Sequence, residues 1–165
     1  MDPEKKKMIF TICCIAVIIV AAILLVFGGR QSEPPGLKVS NEYGIKISAQ
    51  RGTYSWQTSR TSGVNADSAG PLRLYNLGEL QGTEASENDD YSLILEFGKD
   101  PDSVSVVIYP KSAAATEDYS SAIQRDVTTS RTGWRFTIPE DGVYIVEVFA
   151  KWEKGSCFYY FYTTP

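Results

Sequence analysis

The chain has 165 residues, 43% of them hydrophobic, a net charge of −4 and no histidine. That excludes a wholly disordered chain, a multi-span transporter and a large multidomain enzyme. It also removes every imidazole-dependent catalyst and most zinc sites.

The hydrophobic average is uneven. Residues 1–7 carry Lys5, Lys6 and Lys7, and the next 20, MIFTICCIAVIIVAAILLVF, contain one residue outside the hydrophobic set, Thr11. A 20-residue helix is about 30 Å long, the thickness of a bilayer's hydrocarbon core. Its Ile, Leu, Val and Phe side chains favour insertion by very roughly 4–8 kcal/mol. The preceding lysines place the N-terminus in the cytoplasm and everything after Phe27 outside. A cleaved signal peptide would have a shorter apolar region and small residues at its end, whereas this run ends LLVFGGRQ. A lipoprotein cysteine would follow the run, but Cys13 and Cys14 lie near its start. The expectation is a cytoplasmic tail at 1–7, an uncleaved membrane anchor at 8–27 and a cell-membrane location. Residues 28–36, GGRQSEPPG, read as a spacer with nothing to bury.

From Leu37 to the C-terminus, short runs with two-residue alternation dominate, separated by Gly, Pro, Asp, Asn and Ser clusters. Ile45, Ile47 and Ala49 form one such set, and Tyr54 shares a face with Trp56. Tyr91, Leu93, Leu95 and Phe97 line another strand, as do Val104, Val106 and Ile108. Trp134, Phe136 and Ile138 follow, then Tyr144, Val146, Val148, Ala150 and Trp152. A short EKG turn joins that last run to SCFYYFYTT as a hairpin. Residues 59–70 and 82–90 read as long loops, and 112–124 as a loop or a short helix. The pattern predicts an all-β domain over 37–165, an antiparallel β-sandwich of seven to nine strands.

TIPEDGVYIVEVFAKW resembles the late strand pair of immunoglobulin-like sandwiches, in which a Pro-x-x-Gly-x-Tyr turn enters a strand and the tyrosine hydroxyl ties the corner. Glu140, Gly142 and Tyr144 occupy that pattern, while Val146 stands where the second cysteine of the inter-sheet disulfide would be. The series RGTYSW, ADSAGPL, GVYIVEVFAKW and YYFY is similar to small membrane- or lipid-anchored extracytoplasmic proteins of Gram-positive bacteria. That resemblance implies location and an immunoglobulin-like fold, and carries over no functional residue or cofactor.

The chemistry points away from catalysis. No SxxK motif replaces the missing histidine, and scattered carboxylates read as solvated loops rather than a glycosidase pair. Glu84, Glu87, Asp89, Asp90, Asp100 and Asp102 cluster without the spacing of a calcium loop. Cys157, alone beyond the anchor, reads as a buried apolar residue. Residues 28–165 hold 13 basic and 18 acidic side chains, a net −5 that disfavours nucleic acid.

Aromatics are the strongest feature: 18 of the 138 residues after Phe27. In the last strand Phe158, Tyr160 and Tyr162 line one face, Tyr159 and Phe161 the other. A strand apolar on both faces is either covered on both sides or presents a stripe to a partner. The loop after Trp56, with Asp67 and Arg73, is a second candidate. The expectation is a noncatalytic domain binding an envelope protein, a wall polymer or another copy of itself through Trp56, Asp67, Arg73, Phe158, Tyr160 and Tyr162. Two other classes stay open: an accessory or inhibitory subunit acting through its membrane helix, and a hydrolase of an envelope polymer.

Overall fold

The computed structural model describes residues 33–41, 43–59, 61–85 and 90–165. The chain divides into two compact units, Met1–Gln31 and Ser32–Pro165. The expected tail and anchor lie outside the described residues. Within those residues no helix is long and apolar enough to cross a membrane.

The described residues of the second unit are mostly antiparallel β-sheet, with twelve strands in two sheets where seven to nine were expected. The smaller sheet has the order β2-β1-β6-β10-β9, formed by Lys46–Ser48, Leu37–Ser40, Ser92–Phe97, Gly133–Thr137 and Thr128–Ser130. The larger has the order β4-β3-β12-β11-β7-β8, formed by Gly63–Ala66, Gln50–Gln57, Gly155–Thr164, Tyr144–Trp152, Ser103–Pro110 and Ile123–Arg125. All these pairings are antiparallel. The exception is β5 (Gly82–Glu84), which runs parallel to the end of β12. It takes over that edge where β3 leaves it after a bulge between Cys157 and Tyr159. The extra strands β4, β5, β8 and β9 are short, three or four residues; β4 and β5 lie in segments that read as loops, and β8 and β9 lie at or beyond the end of the third such segment.

Alternation places one side of each long strand inside. Leu37, Val39, Leu93, Leu95 and Phe136 of the smaller sheet share a core with Val106, Ile108, Val146, Val148, Ala150, Trp152, Tyr159 and Phe161 of the larger. Aromatic edges fill one end of the space between the sheets. Trp152 meets Trp56 at 5.5 Å and Phe97 at 5.7 Å, both edge-to-face, the arrangement ring quadrupoles favour. Cys157 is buried as expected. Burial pushes its thiol up to about 11, so it packs as a small apolar side chain.

The corner before β11 is tied through Thr163. Its hydroxyl accepts from the Tyr144 amide (2.9 Å) and donates to the Gly142 carbonyl (2.8 Å). Both groups belong to the Pro-x-x-Gly-x-Tyr turn, whose tyrosine ring lies in the core.

The spacer reading needs correction at its end. Pro34 and Pro35 are buried, and the Tyr159 hydroxyl donates to the Pro35 carbonyl. The Arg51 guanidinium donates to the Glu33 carboxylate (2.7 Å) and the Pro34 carbonyl (2.9 Å). Proline rings bury apolar surface and bring no amide to satisfy, so this segment straps onto the sheet edge.

Among the described residues two short α-helices join the sheets. Helix α1, Pro71–Asn76, begins with proline at its first turn, where the missing amide costs nothing. Helix α2, Lys111–Ala114, precedes a 3₁₀ turn at Tyr119–Ser121 capped by the Asp118 carboxylate. The segment 112–124 therefore holds both a helix and a strand edge.

Candidate functional site

The outer face of the larger sheet is apolar, unlike that of an ordinary exposed sheet. Register sets the pairs Ile145–Tyr162, Glu147–Tyr160 and Phe149–Phe158 between β11 and β12. On the other side of β11 the same residues face Tyr109, Val107 and Ser105 of β7. One half of this face is covered. Leu72 and Leu74 of α1, Ala113 and Ala114 of α2, and Leu80 pack on Tyr109, Ile145 and Tyr160 in a second buried cluster. The Asn76 amide donates to the Ala114 carbonyl at 2.7 Å, joining the ends of the two helices.

Tyr160, 4% exposed, lies across Gly52, where any Cβ would collide with its ring. Tyr162 is half-buried, edge-on to Tyr75 at 5.3 Å. With Tyr75, Asn76, Gly78 and Leu80 it lines a shallow pocket of about 380 Å³. Beside it the face is less covered: Val107 and Phe158 pack against the cluster but stay half-buried, as does Phe149, with the two phenylalanine rings 4.8 Å apart. Of the six residues singled out in the sequence, the structure brings together only Phe158, Tyr160 and Tyr162. Trp56 is 2% exposed in the core between the sheets. Its alternation with Tyr54 already put it on an inner face. Asp67 and Arg73 are exposed and lie apart from the stripe. Ion pairs join Lys46 to Glu96 and Arg51 to Glu33, and among the described residues Asp67 and Arg73 are not paired with each other.

Sequence reasoning missed Glu147. It sits between Ile145 and Phe149 on the outward side of β11, half-buried, with no hydrogen bond or ion pair among the described residues. Burial raises its carboxyl above the ordinary range. Its charge in turn raises nearby hydroxyls. Tyr109 is pushed up to about 12 by burial first and Glu147 second, and Tyr160 and Tyr119 shift the same way. The signal was present in the sequence as one charge interrupting an apolar outward series.

A raised carboxyl has a defined consequence for stability. Below about 4.5, its ordinary value, Glu147 is protonated in folded and unfolded chains alike. As the pH rises beyond that, the unfolded chain gives up its proton first, so the folded state binds more protons and stability falls. Glu147→Gln should remove this slope. Melting of parent and variant should coincide near pH 4 and separate towards pH 7.5, with the variant higher. Parallel curves would mean the carboxylate is fully hydrated. Glu96 acts in the opposite sense, held low by its hydrogen bond from Lys46, and is common to both proteins.

A second concavity of about 600 Å³ opens where β1 and β3 approach, floored by Leu37, Phe97 and Tyr159. Of its two lining cations, Lys38 and Arg51, Arg51 is committed to Glu33 and Pro34, although its buried Nε has no partner. No group of three or more Cys, Asp or Glu that could hold a metal occurs among the described residues. Glu87 and Asp89 lie outside them. No family model, curated protein or solved structure matches the chain with significance.

Proposed function

We propose that the chain is a single-pass membrane protein of a Gram-positive bacterium. It displays a noncatalytic, immunoglobulin-like sandwich outside the cell to bind an envelope protein or wall polymer. The apolar run at 8–27 behind three lysines supports the anchor and its orientation. Two antiparallel sheets about a common core and the turn into β11 support the immunoglobulin-like reading. One observation carries the binding role. The larger sheet's outer face is sealed by helices over only half its width, leaving Val107, Phe149 and Phe158 beside a half-buried carboxylate. Aromatic side chains are enriched at binding hot spots, and here they border a half-buried carboxylate.

A photo-crosslinking amino acid placed at Phe158 in the full chain, in the producing cell, tests this. The same probe at Lys38, on the polar outer side of the smaller sheet, is the control. A discrete adduct from position 158 and none from 38 is expected. No adduct from 158, or equal adducts from both, overturns the proposal.

A further inference from the structure

We infer that Glu147 and the aromatic side chains around it receive a lysine or arginine side chain from a protein partner. This rests on the binding role proposed above and names its chemistry. The immediate register neighbours of Glu147 are Tyr160 and Val107, with Ser105, Tyr109, Phe158 and Tyr162 on the diagonals. None is basic. The outward lysine of the same strand, Lys151, lies four residues further on, opposite Ser156 and Ser103. That is about 13 Å along a strand, beyond ion-pair reach. Glu147 is half-buried, its oxygens still touch water, and no cation among the described residues stands beside it, so folding alone leaves its charge partly desolvated and unopposed. A partner's cation would oppose it.

The surroundings suit a basic side chain better than a metal or a neutral ligand. Phe158 stacks on Tyr160 with centroids 6.5 Å apart, and Tyr109 meets Tyr119 edge-on at 5.7 Å. Aromatic rings therefore border the carboxylate on both sides, and ring faces attract ammonium and guanidinium groups. The open strip of Val107, Phe149 and Phe158 can take the methylenes of a lysine or arginine stem. A single carboxylate supplies too few oxygens for calcium. Its charge rejects phosphates and acidic polymers. The net −5 of residues 28–165 draws a basic surface towards the face and speeds encounter.

The test uses the full chain in neutral detergent micelles and follows the ring resonances of Phe149 and Phe158. The probes are the pentapeptide amides GLKLG, GLRLG and its norleucine analogue, and a glucosamine oligosaccharide. Saturable shifts with the lysine and arginine peptides are expected, at least tenfold weaker with norleucine and in Glu147→Gln. Circular dichroism of that variant establishes that it folds. Equal binding of the norleucine peptide, or no loss in Glu147→Gln, overturns the inference while leaving an apolar binding face in place. Binding of the amino-sugar alone also overturns it, because the cation would then come from a glycan. If Phe158→Ser leaves every titration unchanged and the crosslinker at 158 gives no adduct, the binding role itself falls.

Discussion

Tyr160→Ser should lower the stability of the domain by about 3–4 kcal/mol, whereas Phe158→Ser should cost about 1 kcal/mol. The two residues lie on one strand face, two positions apart, and differ in what covers them. Tyr160 is 4% exposed beneath Leu72, Leu74, Leu80 and the alanines of α2. Removing its ring would leave a cavity under two helices of six and four residues, too short to hold themselves without packing. Phe158 loses contact mainly with Phe149, at the open edge of the cluster. Urea unfolding would separate them. The midpoint of Tyr160→Ser should fall several times further than that of Phe158→Ser, with a steeper loss of near-ultraviolet signal. Equal shifts would mean the helices do not seal Tyr160. The comparison also decides which variant informs on function, since a binding defect in Tyr160→Ser would report unfolding.

The covered half of the site was hidden in the sequence for a physical reason. The cover comes from residues 71–80 and 111–114, far from β12 and too short to show helical periodicity. In Leu72-Arg73-Leu74 the buried-exposed-buried order imitates a strand. Only Gly70-Pro71 marked a helix start. By contrast, β11 and β12 were legible because nine and ten residues of alternation cannot be confused with a helix. The strands β8 and β9 contribute backbone pairing while most of their side chains are exposed, so no pattern announced them. Glu147 escaped notice because alternation assigns a charge to the outside and says nothing about what borders it there. Trp56 entered the candidate set because a long polar loop follows it directly in the sequence. The core claimed it because Tyr54 and Trp56 share an inner face.

Gly155→Ala should cost about 2–4 kcal/mol. The β11–β12 hairpin closes through Glu153 and Lys154, with Trp152 opposite Gly155. Neither loop residue has positive φ, so this is not the mirror-image turn that usually matches strand twist. The compensating conformation falls on Gly155, at φ +147, where a side chain is strained by about 1–3 kcal/mol. A Cβ there would also strike the Ser55 carbonyl and come within 3.1 Å of the Trp56 Cα. These are backbone atoms of β3, so the conflict cannot be relieved by a rotamer change. Strand β3 would have to move, and it carries both Trp56 in the core and Gly52 beneath Tyr160. Gly78 supplies the control: its φ is +72, but a Cβ would meet nothing within 4 Å. Gly78→Ala should therefore lose only about 1 kcal/mol from backbone strain. The difference in unfolding free energy between the two variants measures the close approach of β3 to β12. If the two alanines cost the same, β3 leaves room for a Cβ at Gly155, and the floor under Tyr160 is not set by the hairpin.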